Sequence, residues 1–290
     1  MIRSSASQPA ISFALRNVLQ AGFQEDLGFG DLTSSSVGAD TIRSGTFVAK
    51  GTGVLSGVLA IRMGYQMLDS SMTVEHFRKD GEQVKPGDPI AKVSGPAGPL
   101  LTGERVILNI LQHMSGIATA TSRAVNSMQG SRTRICDTRK TLPGLRALQK
   151  YAVRCGGGYN HRFRLDDGVM IKDNHIVAAG GIQKAVEAVR AATGPMVRVE
   201  VECETEKEVR EAVQAKADII MLDNKTPDEV RKLRKMIPDS ILVELSGGIT
   251  PDTAGQYRDC GADYISLGSL THSVTALDIS FNLEDGKKSL

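Results

Sequence analysis

The chain has 290 residues at 31.0 kDa, too long for one small module and short for three, so one large domain or two unequal ones is the expectation. Its 35 Lys and Arg against 33 Asp and Glu leave a net charge of +2, which excludes a surface built throughout to grip nucleic acid or anionic membrane. With 41% hydrophobic and 23% charged residues the composition is that of a folded protein. No run approaches the roughly 20 unbroken apolar residues of a membrane span.

The Ser-rich start, residues 1–10, reads as a terminus ahead of a first helix. Ile11 to Leu19 and Leu59 to Leu68 carry helical spacing, while Thr46 to Lys50, Thr73 to Phe77 and Ile90 to Val93 read as strands between Gly-rich turns, an α+β pattern. Asp80 to Gly95 has the turn spacing of a carrier domain but no suitably flanked lysine at a hairpin tip, so structural turns are expected there. From Pro99 a long amphipathic stretch follows, with Gly103 and Gly116 as candidate breaks. The four cysteines, Cys136, Cys155, Cys203 and Cys260, show no metal-ligand spacing and read as reduced, buried thiols of a cytoplasmic protein.

Beyond that stretch, short β-branched strands alternate with helices. The candidate strands are Arg134 to Asp137, Tyr159 to Arg162, Val169 to Lys172, Val197 to Glu202, Asp218 to Asp223, Ile241 to Ser246 and Asp263 to Gly268. The last four end at 202, 223, 246 and 268, intervals of 21, 23 and 22 residues, which is the step of one βα unit. Polar residues close nearly every strand: Asp137, Arg139, Lys140, His161, Arg162, Lys172, Glu202, Asp223, Ser246 and Ser269. In a barrel such ends converge on one mouth, so a seven-stranded α/β barrel is favoured over a doubly wound sheet.

Between Arg134 and His175 nine Arg or Lys stand against four Asp, a local balance of +5 that the rest of the chain offsets. Arg146, Lys150 and Arg154 are assigned to the solvated face of a helix. Arg139, Lys140, Arg162 and Lys172 would point into the mouth, where crowded cations call for a ligand with several negative charges. The Gly-rich turns Ser246 to Ile249 and Gly268 to Leu270 follow the last two strands and suit a phosphate. Glu202 and Asp223 read either as salt-bridge partners of strand-end cations or as groups facing Mg²⁺ and sugar hydroxyls. Of the histidines, His161 is placed in the pocket, His113 in a packed helix, and His175 as orienting the loop after Lys172.

The segments at 136–162, 170–175 (MIKDNH), 199–202 (VEVE), 221–224 (MLDN), 245–249 (LSGGI) and 266–270 (SLGSL) resemble the quinolinate phosphoribosyltransferases, and 25–34 and 103–119 resemble that family's N-terminal signatures. The resemblance runs from about residue 11 to 280 in order, and the segment at 172–175 separates it from a related family associated with molybdenum transport. It implies an open-faced α/β sandwich over 1–115, with 271–290 as candidates to return to it, and the barrel over 116–270, working as a homodimer or an assembly of dimers. The implied reaction joins quinolinate to 5-phosphoribosyl 1-diphosphate (PRPP) with Mg²⁺ and releases diphosphate and CO₂.

By the same resemblance Arg105 would act in the partner subunit's site, and Arg139, His161, Arg162 and Lys172 would hold the two quinolinate carboxylates, with Lys140 shared between substrates. Glu202 and Asp223 would face the ribose and Mg²⁺, while Thr138, Ser246, Gly247, Gly248, Leu267, Gly268 and Ser269 would bind the remainder of PRPP. The chain departs from the family pattern at Arg164, followed by Asp166 and Asp167, where a local ion pair is expected. Two other readings of the residues are a Schiff-base aldolase acting through Lys172 and a non-catalytic binder of phosphorylated ligands.

Overall fold

The computed structural model describes residues 8–36 and 40–284; the expected terminus at residues 1–7 lies outside the described residues. The described residues form two compact units, one drawn from residues 8–122, 141–157 and 273–284 and the other from 123–140 and 158–272. Residues 116–122 and 141–157, expected with the barrel, have their contacts in the first unit. Among the described residues no helix is long and apolar enough to cross a membrane.

The first unit opens with α1 (Gln8–Leu27), followed by β1 (Ile42–Ala49), β2 (Gly53–Val54), α2 (Leu59–Leu68), β3 (Thr73–His76), β4 (Gln83–Val84), β5 (Pro89–Pro96) and α3 (Ala97–Ser127). Strands β1, β3 and β5 join β12 (Ile279–Leu283) in an antiparallel sheet ordered β12-β1-β5-β3. Along β1 burial alternates, with Gly45, Phe47 and Ala49 inward, as a sheet with one covered face requires. Phe47 meets Phe281 at 4.8 Å and Tyr65 at 6.2 Å between ring centroids, and Leu19, Leu100, Ile107 and Leu111 complete this core. Burying each such side chain contributes about 1.5–3 kcal/mol.

Helix α3 runs 31 residues through both expected breaks. The reason lies in what approaches the glycines: a Cβ on Gly103 would lie 2.8 Å from Leu68 and 2.9 Å from Tyr65, and one on Gly116 would collide with the Thr275 carbonyl. These glycines serve close approach by neighbours, which outweighs their cost of about 1 kcal/mol in a helix. Residues 80–95 form the turns expected, with Gly81 and Gly87 both at positive φ.

Helix α4 (Arg146–Cys155) corrects one assignment. Arg154 is exposed and Arg146 half-buried, its Nε donating to Thr141 Oγ1 at 2.9 Å, but Lys150 is fully buried and is not without a partner. Leu148, Gln149, Ala152, Val153 and Cys155 are buried too, so most of the circumference is covered and the four-residue spacing of cations marks no solvated face. All four cysteines are buried and unbonded to one another.

The second unit is a parallel α/β array: β6 (Arg134–Cys136), β7 (Val169–Ile171), α5 (Asp173–Ala179), α6 (Ile182–Ala192), β8 (Val199–Cys203), α7 (Glu206–Gln214), β9 (Ile219–Asp223), α8 (Pro227–Arg234), β10 (Leu242–Ser246), β11 (Tyr264–Ser266) and the short α9 (Ser269–His272). Its six-stranded sheet is ordered β6-β11-β10-β9-β8-β7, and Tyr159 bridges to Cys136 at the β6 edge as the seventh position. The expected strand at 159–162 shrinks to that bridge because the Asp137 carboxylate, not a strand carbonyl, accepts the His161 N–H at 2.8 Å and the Asn160 amide at 2.6 Å. Helices α7 and α8 start where Thr205 and Thr226 accept from the N–H of Glu208 and Glu229, whose carboxylates in turn accept the threonine N–H groups, a reciprocal cap.

Candidate active site

Parallel pairing places the C-terminal ends of the strands at one mouth. Ser246 pairs with Asp223 across β10 and β9, and Glu202 pairs with Met221 across β8 and β9. Alternation along each strand then sorts side chains by face: Val199, Val201 and Cys203 are buried on the helix side of β8, while Glu200 and Glu202 share the lumen side. Lys172, Glu202, Asp223 and Ser246 thus stand at or just beyond the strand ends, and Glu200 and Glu244 form a layer two residues further down β8 and β10.

In the upper layer Lys172 Nζ forms an ion pair with Glu202 Oε2. The salt-bridge alternative for Glu202 is thus what the structure shows. Asp223 instead accepts from Asn224 Nδ2 at 2.6 Å. Asn224 sits at φ 52° and donates its N–H to the Ser246 carbonyl at 2.9 Å, which links the ends of β9 and β10. Gly247 and Gly248 follow at φ 89° and 66°. Thr138 Oγ1 accepts the Lys140 N–H at 3.0 Å, and the exposed Lys140 lays its stem over Gly268, where a Cβ would lie 3.0 Å from its Cδ. Leu267 is fully buried and its N–H is used by the Cys136 carbonyl, so it supports the turn rather than facing the mouth. Ser269 Oγ is buried with no hydrogen-bond partner among the described residues.

Arg162 donates from Nη1 to the Gly168 carbonyl at 2.7 Å. Burial and the neighbouring Arg139 both depress its pKa, the physical sign of crowded cations. His175 orients the loop as expected, its Nδ1 accepting the Lys172 N–H at 3.0 Å. His113 lies in α3 against Gln149 at 2.9 Å. Arg164 pairs with Asp166 at 3.5 Å, both exposed. Asp137, grouped with the mouth residues by its position, is instead fully buried as the tie for Asn160 and His161. Arg105 belongs to the first unit, exposed on α3 beside a recess lined by Glu25 and Asp26 of α1.

The layer beneath was missed. His161 Nε2 lies 3.2 Å from Glu200 Oε2 and 3.4 Å from Glu244 Oε1, and Glu244 Oε1 also accepts from Ser266 Oγ at 2.5 Å. His161 Nδ1 accepts the Arg162 N–H at 2.7 Å, so the ring proton lies on Nε2, facing the two carboxylates. Burial, then the proximity of Glu244, pushes the Glu200 carboxyl above the usual carboxylate range. These three residues are close enough to hold a cation, but the Nε2 proton already fills the space between the carboxylates. The signal was present in VRVEVE and LVELS, where an acid stands two residues before the mouth position of the same strand.

Comparison with known proteins follows the same geometry. Residues 117–282 match the quinolinate phosphoribosyl transferase C-terminal domain and residues 31–115 its N-terminal domain. A probable nicotinate-nucleotide pyrophosphorylase (carboxylating) of Bacillus subtilis strain 168 is 49% identical over 276 residues, covering 95% of this chain and 96% of that protein. The nicotinate-nucleotide pyrophosphorylase (carboxylating) of Mycobacterium leprae is 41% identical over 93% of this chain and 97% of its own length. Among solved structures, NadC from Streptococcus pyogenes superimposes with a TM-score of 0.89 at 39% identity, over 94% of this chain and 98% of that one. The chain belongs to the quinolinate phosphoribosyltransferase family.

Proposed function

We propose that the chain transfers the phosphoribosyl group of PRPP to quinolinate with loss of CO₂, giving nicotinate mononucleotide and diphosphate for NAD biosynthesis. The observation that carries this is a barrel mouth where cations, two acids and two glycine turns converge, in a chain whose family matches span 31–282.

Arg139, Arg162 and Lys172 take the two carboxylates of quinolinate, His161 supports Arg162 through its ring instead of meeting the substrate, and Lys140 lies between the substrates. Glu202 and Asp223 face the ribose, and Thr138, Ser246, Gly247, Gly248, Gly268 and Ser269 take the phosphate end of PRPP. The unpartnered Ser269 hydroxyl and the open space beside Gly248 support that placement. Leu267 contributes backbone only. The chain works as a homodimer in the cytoplasm, with Arg105 of the partner subunit completing each site; the exposure of Arg105 and the four unbonded cysteines support this.

Glu202 and Asp223 fit Mg²⁺: hydrogen bonds among the described residues engage Glu202 Oε2 and Asp223 Oδ2 and leave each carboxylate a hard oxygen. Glu202 and Asp223 would hold Mg²⁺, which would neutralise the charge of the leaving diphosphate. The quinolinate nitrogen displaces diphosphate from the anomeric carbon, so positive charge grows on the ribose beside Glu202 and Asp223, a fixed field of the kind that lowers barriers most. The new N–C bond leaves the ring nitrogen cationic. The adjacent carboxylate then departs as CO₂, its electron pair stays on the ring carbon, and a solvent proton completes the product. The aldolase reading requires Lys172 Nζ to be free to attack a carbonyl, and in the structure it is engaged by Glu202 Oε2.

Incubation with both substrates and Mg²⁺ should form nicotinate mononucleotide, and Glu202→Ala should lose turnover while quinolinate still binds. A reduced adduct at Lys172 after borohydride treatment with a carbonyl substrate would overturn the assignment in favour of the aldolase. Loss of ligand affinity alone in Glu202→Ala would favour a binder.

A further inference from the structure

The buried layer under the mouth supplies more than filling. The His161 ring is engaged at both nitrogens: Nδ1 accepts the N–H of Arg162 at 2.7 Å, and Nε2 donates to Glu200 Oε2 at 3.2 Å and lies 3.4 Å from Glu244 Oε1. One edge of the ring therefore holds the backbone of Arg162, and the other is anchored in the barrel. Arg162 in turn returns its guanidinium to Gly168 across the same loop. The two carboxylates are unequal anchors. Both are 3% exposed, and both, with His161 and Arg162, line a cavity of about 320 Å³ walled also by Tyr159, Arg198, Ile219, Leu242 and Tyr264. Glu244 is itself fixed by the Ser266 hydroxyl at 2.5 Å, whereas Glu200 Oε1 has no hydrogen-bond partner among the described residues. Of the two, Glu244 has the defined position.

We propose that Glu244 is a positioning residue for quinolinate: fixed by Ser266, it anchors the His161 ring and through that ring sets the backbone from which Arg162 reaches the substrate. This rests on the reading that Arg162 and its neighbours hold the quinolinate carboxylates. Two effects of removing Glu244 have opposite signs. Taking a negative charge from beneath a cationic mouth would strengthen binding of a dianion, whereas releasing the ring would misplace Arg162 and weaken it. The variants separate them, because glutamine keeps an oxygen that accepts from both Ser266 and His161 while losing the charge, and alanine keeps neither.

The experiment measures KM for quinolinate and for PRPP, and kcat, in wild type, Glu244→Gln, Glu244→Ala and Ser266→Ala, with thermal unfolding of each. Positioning predicts that Glu244→Ala raises the quinolinate KM about tenfold, the factor expected when one buried hydrogen-bonding partner is lost. Ser266→Ala should move it in the same direction by less, Glu244→Gln should restore it to near wild type, and the PRPP KM should stay within about twofold throughout. Ring ¹⁵N shifts of His161 should show Nε2 protonated in wild type and Glu244→Gln and altered in Ser266→Ala, which decides the matter if Glu244→Ala does not fold. A quinolinate KM that falls equally in the Gln and Ala variants, or that changes in neither, overturns the proposal. Wild type that forms no mononucleotide would instead overturn the functional reading on which it rests.

Discussion

At Gly247 the backbone sits at φ 89°, and a Cβ would collide with Asn224 Oδ1, the side chain that also reaches Asp223. Substitution there is strained in both conformation and space, at about 1–3 kcal/mol for the conformation alone. Gly247→Ala should therefore lower the unfolding temperature and raise the PRPP KM while leaving the quinolinate KM near wild type; an unchanged PRPP KM would remove this turn from the phosphate site. The upper layer of the site was legible in the sequence because each of its residues closes a run of apolar, strand-forming neighbours, as in IIMLD and VRVEVE. The layer below was hidden for the converse reason. Glu200 and Glu244 lie inside such runs, where an acid has no sequence mark to show which partner satisfies it, and His161 reaches them only through the fold. Lys150 was misplaced because cation spacing describes one face of a helix and says nothing of what covers that face.

Helices with their own start signals were legible too: Thr205 with Glu208 and Thr226 with Glu229 mark α7 and α8 by local hydrogen bonds alone. Helix α3 was less so, since a glycine in a helical run has the same sequence signature whether it ends the helix or admits a neighbour. The structure distinguishes the two at Gly116, against which the Thr275 carbonyl is packed. Gly116→Ala should gain about 1 kcal/mol of helix propensity and lose more to this collision, for a net destabilisation of about 1–3 kcal/mol in denaturant unfolding. A variant as stable as wild type would show that residues 273–276 can yield. The segment 159–162 shows a third case. Its apolar and aromatic start predicts a strand, yet the side chain of Asp137 replaces the ladder beyond Tyr159 and so frees His161 to turn into the lumen.

For the whole molecule, a near-neutral total conceals a strongly cationic stretch, and the fold gathers its strand-end cations at one mouth with two carboxylates and two glycine turns. That gathering needs parallel strands in a fixed order, which periodic βα spacing already suggested. The grouping of residues 141–157 with the first unit had no such signal, because it depends on long-range packing. The proposed assembly gives a direct expectation: Arg105→Ala and Lys172→Ala subunits, each inactive alone, should recover part of the activity when mixed into heterodimers, and no recovery in verified heterodimers would place Arg105 in its own subunit's site. The central claim, coupled phosphoribosyl transfer and decarboxylation, is tested most directly with quinolinate carrying ¹³C in the carboxylate adjacent to the ring nitrogen. The account predicts labelled CO₂ and unlabelled nicotinate mononucleotide in equal amounts, and only when PRPP is present; labelled CO₂ without PRPP, or quinolinate left unchanged with it, would contradict the account.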